Sequence, residues 1–277
     1  MTDKDLDRVI AAALKEDMPE GDITTEAVIS PDSFSKAVIL AKEAGVLAGL
    51  DVARRVFEKI DRRVAFHKSI NDGRAFRKGD VLARLEGPSA SLLKGERTAL
   101  NFLQRMSGIA TLTRRYVRAV KGGNTRILDT RKTTPGLRAL EKYAVKMGGG
   151  KNHRFSLSDM VLLKDNHLVF VGSIREAVRR ARKNNKPGTK IEVEVKNFLE
   201  AREALESGAS VIMLDNMSLP AMRRVVRWVK GRVPVEVSGK ITLRRVSEIS
   251  ALGVDYISVG RLTHSFKSVD ISLEFES

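Results

Sequence analysis

The chain has no cysteine among its 277 residues. Disulfides, zinc–thiolate centres and a cysteine nucleophile are therefore excluded. No run of about 18 apolar residues occurs, so no membrane-spanning helix is expected. Aromatic residues make up 5% of the chain, with one tryptophan, which leaves few stacking platforms for single-stranded nucleic acid. Acids are scarce beside bases: 34 Asp plus Glu against 50 Lys plus Arg, a formal net charge of +16. Met1-Thr2-Asp3-Lys4-Asp5 is charged and leads into an amphipathic pattern, unlike a signal peptide. A cytoplasmic protein is the expectation.

The excess charge has three readings. It is a solvated basic surface, with thermal adaptation contributing; a nucleic-acid footprint; or a positive cleft for a small, highly anionic substrate. Bases cluster between Arg114 and Arg154 and again from Arg175 to Lys190. No zinc-finger or RNP pattern accompanies them.

What is present is a rhythm. Six short apolar runs each end in polar residues suited to chemistry. Arg126-Ile127-Leu128 leads to Asp129-Thr130-Arg131-Lys132, and Met160–Leu163 to Lys164-Asp165-Asn166-His167. Ile191-Glu192-Val193 leads to Glu194 and Lys196, and Val211–Leu214 to Asp215-Asn216. Val233–Val237 leads to Ser238-Gly239-Lys240, and Tyr256–Val259 to Gly260, with His264 beyond. Most runs are separated by helical patterns, which implies parallel βαβ units. Six strands fall short of a closed eight-stranded barrel, so an incomplete barrel or an open parallel sheet is expected. A seventh strand is conceivable at 168–171.

The first stretch reads as α+β. Helical spacing occurs at 3–15 and 51–60, strands at 36–42, 45–49, 63–68 and 80–86, and a turn at Gly21–Thr25. Ser89 resembles an N-cap to a helical region over about 90–120, with a break expected at Ser107-Gly108 and an end at Gly122-Gly123-Asn124. Residues 269–275 alternate like a half-buried strand, consistent with a return to the first domain. The domains implied are 1–110, to which 267–277 is a candidate return, and 111–266.

Active sites of parallel barrels lie at the strands' C-terminal ends. There, Arg131, Lys132, His153, Arg154 and Lys164 form a candidate anion cluster. Glu194 and Asp215 counter it; carboxylates at neighbouring strand ends hold Mg²⁺ directly or through its waters, or bind hydroxyls, or form structural ion pairs with Lys164 or Lys196. Ser238, Gly239 and Gly260 follow late strands, where phosphate is often bound. Helix spacing alone gives Arg97 no function.

These segments resemble the quinolinate phosphoribosyltransferase family over nearly the whole chain. The resemblance is carried by Glu96–Asn101, Ser107–Thr111, Asp129–Gly136, Gly150–Arg154, Lys164–His167, Glu192–Val195, Leu214–Asn216 and Leu262–Ser265. It implies an open, incomplete α/β barrel after an α+β N-terminal domain. It also implies a homodimer, open to higher assembly, in which Arg97 reaches the partner's site. By resemblance, Arg97, Arg131, His153 and Arg154 bind quinolinate. Lys132, Lys164, Glu194 and Asp215 handle phosphoribosyl pyrophosphate and Mg²⁺ and are the catalytic candidates. Ser238, Gly239, Gly260 and His264 lie around the phosphate. Lys240 and Arg261 depart from the family's usual small residue and Ala. The alternatives are a related phosphoribosyltransferase whose acceptor is nicotinate or the substrate of molybdenum-operon relatives, a basic nucleic-acid-binding protein, and a barrel enzyme for another sugar phosphate. The leading expectation involves neither nucleic acid nor membrane.

Overall fold

The computed structural model describes residues 3–121 and 123–276. The chain start at Met1-Thr2 and the expected helix end at Gly122 therefore lie outside the described residues, as does Ser277. The chain forms two units: Met1–Arg114 with Thr133–Gly149 and Leu262–Ser277, and Arg115–Lys132 with Gly150–Arg261. Residues 133–149, which the sequence assigns to the second domain, cluster with the first unit.

Helix α1 (Asp3–Asp17) buries Ile10 and Leu14, one turn apart. Asp3 and Asp5 in its first turn and Lys15 in its last complement the helix dipole. Gly21–Thr25 is not a simple turn: a short helix α2 (Ile23–Val28) begins there. The Asp22 carboxylate accepts from the Thr25 amide at 3.0 Å and caps it. Strand β1 (Phe34–Ala41) buries Ala37, Ile39 and Ala41, the alternation of a sheet with one covered face. Strand β2 (Gly45–Val46) is shorter than its apolar run. Helix α3 (Leu50–Ile60) follows, then β3 (Ala65–Lys68), β4 (Ala75–Phe76) and β5 (Val81–Pro88).

Helix α4 (Ser89–Ala119) is continuous through Ser107-Gly108, so the expected break is absent. Gly108 answers a packing need instead. A Cβ there would stand 2.3 Å from the Lys267 carbonyl oxygen. Ser107 is fully buried and its hydroxyl meets the Ala48 amide at 3.2 Å. Ser89 opens the helix, its hydroxyl 2.6 Å from that of Ser35.

The second unit is a parallel sheet. Strand β6 (Arg126–Leu128) is followed by α5 (Arg138–Met147), which belongs to the first unit. Next come β7 (Val161–Leu163), α6 (Asp165–Val171) and α7 (Ile174–Lys183). The possible strand at 168–171 is therefore helix: its apolar residues lie within one helical segment, with Val169 and Phe170 exposed. Three strand–helix beats follow: β8 (Ile191–Val195) with α8 (Phe198–Glu206), β9 (Val211–Asp215) with α9 (Leu219–Val229), and β10 (Val235–Ser238) with α10 (Leu243–Ser250). Strand β11 (Tyr256–Ser258), the short α11 (Arg261–His264) and β12 (Ile271–Phe275) end the series.

The six parallel strands lie in the order β6-β11-β10-β9-β8-β7. The edge strands β6 and β7 do not pair with one another among the described residues, so the sheet is open. Its strands read as apolar runs because both faces are covered: Ile191, Val193, Val195, Ile212, Leu214 and Val237 are almost wholly buried on one face, and Glu192, Met213 and Glu236 on the other. In the first unit, β12 pairs antiparallel with β1 and completes the sheet β12-β1-β5-β3. The alternating C-terminal segment thus returns to the N-terminal fold. No helix among the described residues is long and apolar enough to cross a membrane.

Candidate active site

Residues two apart on a strand share a face. That period places Glu194 on β8, Asp215 on β9 and Ser238 on β10 around the C-terminal rim of one face of the sheet. Two residues earlier on the same strands stand Glu192, Met213 and Glu236, one layer deeper. Here the second unit holds a cavity of about 570 Å³. Lys132, Lys164, Glu194, Asp215, Asn216, Ser238, Gly239 and Lys240 contribute to its lining. Arg131, His153, Arg154, Leu162, Met213, Glu236 and Ser258 line it as well.

Each functional side chain is positioned by local structure. Asp129 is fully buried after β6, and its carboxylate accepts from the His153 amide at 2.9 Å. Lys151 forms a parallel bridge with Leu128. The segment carrying His153 and Arg154 is thereby docked beside the strand that delivers Arg131 and Lys132. An Arg154 Nη1–H donates to the Met160 carbonyl at 3.2 Å. Lys164 ends β7 and sits 3.3 Å from Glu194. Lys196 pairs instead with Asp165 at 2.8 Å. At the rim, Asn216 and Lys240 hold left-handed backbone conformations (φ 50° and 46°), as does Gly239 (φ 95°). Backbone strain of this kind is characteristic of ligand sites. A Cβ on Gly239 would stand 2.3 Å from Asn216 Oδ1, so that side chain would have to turn, and the φ of 95° itself favours glycine.

Beneath the cations lies a feature that the strand-end pattern does not reveal. His153 Nε2 is 2.9 Å from Glu192 Oε2 and 3.6 Å from Glu236 Oε2. The two glutamates are 1% and 2% exposed. Glu192 Oε1, Glu236 Oε1 and Ser258 Oγ are buried without a hydrogen-bond partner. Burial pushes the Glu192 carboxyl up to about 7. Burial, followed by the charge of Glu192, pushes Glu236 up to about 8. Burial, then the Arg131 cation, lowers the pKa of Arg154.

Nine of the expected residues meet in this cavity: Arg131, Lys132, His153, Arg154, Lys164, Glu194, Asp215, Ser238 and Gly239. Gly260 follows β11 and is not part of the lining, where Ser258 stands. Arg97, on α4, and His264 belong to the first unit, and both are exposed. His264 Nδ1 is 2.7 Å from the Ser265 hydroxyl. Of the two departures from the family pattern, Lys240 faces the cavity, whereas Arg261 acts on Tyr116. Glu236 is missing from the expected set, although the sequence carries a signal for it. A carboxylate inside Val235-Glu236-Val237 interrupts an apolar parallel strand, where burying a charge is costly.

An open parallel α/β sheet with a cation-lined cavity at its C-terminal edge defines a phosphoryl- or carboxylate-handling enzyme of the barrel class. The sequence matches "Quinolinate phosphoribosyl transferase, C-terminal domain" over residues 109–274 and the corresponding N-terminal domain over 22–107. The chain belongs to the quinolinate phosphoribosyltransferase family. It is 45% identical to a probable nicotinate-nucleotide pyrophosphorylase [carboxylating] of Bacillus subtilis, covering 94% of this chain and 89% of that protein. It is 42% identical to quinolinate phosphoribosyltransferase [decarboxylating] 1b of Nicotiana tabacum, covering 99% and 83%. The crystal structure of NadC from Streptococcus pyogenes superposes with a TM-score of 0.96 at 44% identity, covering 100% of this chain and 99% of that one.

The buried acid makes stability depend on pH. Folded Glu236 keeps its proton up to about pH 8, whereas the unfolded chain releases it near the ordinary value of 4.5. Between those values unfolding releases a proton, so this group's contribution to stability falls as pH rises. Glu236→Gln removes this group's share of the dependence, while buried Glu192 keeps its own. The melting-temperature difference, variant minus wild type, is expected to become more positive from about pH 5 to pH 8. A flat difference across that range contradicts the assignment.

Proposed function

We propose that this protein transfers the phosphoribosyl group of phosphoribosyl pyrophosphate to quinolinate, with loss of CO₂, to give nicotinate mononucleotide in NAD biosynthesis. The observation that carries the proposal is the convergence of Arg131, His153, Arg154, Lys132 and Lys164 in one cavity with two carboxylates at its rim. Two polyanions need such a cluster, and a dicarboxylate acceptor accounts for the deep cations better than a monocarboxylate does. A nucleic-acid surface has no need of Glu194 and Asp215 among its lysines. A cytoplasmic location is part of this proposal.

Arg131, Arg154 and His153 hold the acceptor's carboxylates, the arginines as planar forks. Lys132 and Lys164 neutralise the phosphates as point charges. Ser238 and Gly239, together with Gly260 and His264, belong to the phosphate end by resemblance. Lys240 adds a charge there. Glu194 and Asp215 suit Mg²⁺: they offer hard oxygen donors on adjacent strands at the rim, and Mg²⁺ commonly takes one or two carboxylates plus substrate phosphates and water. When bound, Mg²⁺ neutralises charge on the pyrophosphate.

The acceptor's ring nitrogen attacks ribose C1 as pyrophosphate departs. Positive charge grows on the ribose, and a rim carboxylate, Glu194 or Asp215, stabilises it electrostatically. The ribosylated nitrogen is cationic, so it accommodates the electron pair left on the adjacent carbon when CO₂ leaves. No protein nucleophile takes part. Most of the acceleration is positioning of two substrates in one cavity. The family resemblance adds a homodimer in which Arg97 completes the partner's acceptor site, with further assembly open.

Arg131→Ala is expected to weaken quinolinate binding by about 2–5 kcal/mol, as when one partner of a buried charge pair is lost. Unchanged affinity by titration calorimetry contradicts Arg131's role. Arg97→Ala and Arg131→Ala are each expected to be inactive, and their mixture to regain about a quarter of wild-type activity. Random exchange makes half the dimers hybrid, each with one intact site. No recovery after subunit exchange is verified by mass spectrometry contradicts the shared site.

A further inference from the structure

The electrostatics of binding leave Glu236 without a task. A site built for anions gains nothing from an acid at its floor, and burying that acid is costly. Yet Glu236 lines the cavity on β10 while only 2% exposed. The charged groups facing it are Glu192 from β8 and His153 from the segment before β7. Strand β11 contributes the uncharged Ser258, and the register partner on β9 is Met213. The ligand atoms of His153, Glu192 and Glu236 lie within 4.8 Å of one another. Two buried carboxylates at that spacing do not both ionise readily. Burial favours the proton on Glu192 against the charges of Arg154 and Lys164, and those same charges oppose a divalent metal ion more strongly.

The chemistry of the proposed reaction requires a proton at the acceptor ring, in the cavity that Glu236 lines. Loss of CO₂ leaves an electron pair on a ring carbon, and that carbon must be protonated. The rim carboxylates lie a layer above, beside the lysines. We propose that Glu236 is the acid that protonates the ring carbon vacated by CO₂. The carbon–carboxylate bond breaks, its electron pair stays on the ring carbon, and CO₂ departs. In the same step the Glu236 O–H bond breaks and its proton forms the new C–H bond with that electron pair, so CO₂ release depends on the acid, and the glutamate is left as carboxylate. Water returns the proton, with His153 in contact with the pair. Glu192, whose Oε2 is 2.9 Å from His153 Nε2, disfavours charge on Glu236. The inference rests on the phosphoribosyl-transfer reading given above.

Pyrophosphate and CO₂ release, measured in parallel with quinolinate, phosphoribosyl pyrophosphate and Mg²⁺, separate the two stages. Wild type is expected to release them one to one. In Glu236→Gln, pyrophosphate release is expected to persist while CO₂ release falls about 100-fold relative to it, the scale of a lost general acid. The ribosylated dicarboxylate then accumulates. Glu236→Asp keeps an acid and is expected to restore the coupling at a lower rate. Wild type itself supplies a test free of folding effects: its ratio of CO₂ to pyrophosphate should fall as pH rises through about 8. Equal losses of both products in Glu236→Gln, or no loss, together with a wild-type ratio constant to high pH, overturn the proposal and point to a lysine or water as donor. Absence of pyrophosphate from quinolinate in wild type fails the phosphoribosyl-transfer reading instead, and this inference falls with it.

Discussion

Opposite charges brought together at the C-terminal edge of one parallel sheet govern the second unit. Arg131, Lys132, Arg154 and Lys164 share a single cavity, and their mutual repulsion would open it if nothing countered them. Carboxylates do so at two depths. Glu194 meets Lys164 at the rim, and Glu192 meets His153 below. The strand period makes both levels available, since Glu192 and Glu194 face the same side of β8. The buried carboxyls avoid the full cost of isolated charge by titrating upward toward neutrality. The cations are therefore countered chiefly at the rim, by Glu194 and Asp215, and the site stays positive enough to draw in anions.

Much of this is legible in the sequence because parallel βαβ units write their function at fixed places. Each of the six apolar runs forms a strand, and the polar residues after them supply most of the cavity lining. Glu194, Asp215 and Ser238 are visible because they stand at or beside strand ends. The return of the C-terminal strand is visible in its alternation, which suits a sheet with one face covered. The family resemblance adds what spacing does not carry, including the role proposed for Arg97.

What escapes the sequence does so for identifiable reasons. The apolar residues at 168–171 have no distinct period over so short a span, and the chain makes them a helix. Gly108 looks like a helix break because glycine weakens helices. Its actual role is to admit the Lys267 carbonyl, a contact more than 150 residues away that local pattern cannot express. Asp22 reads as part of a turn, although a carboxylate before Ile23–Val28 is a helix cap. Glu236 lies one layer below the strand ends, and its meaning comes from that depth. An acid flanked by two valines in an apolar run is nonetheless a local sign of a buried, neutralised carboxyl.

The most direct measurement is a product assay with Mg²⁺ and phosphoribosyl pyrophosphate, offering quinolinate and nicotinate in separate reactions. Nicotinate mononucleotide formed with CO₂ from quinolinate, and no product from nicotinate, is the result predicted. Product from nicotinate alone, or from neither acceptor, contradicts the account.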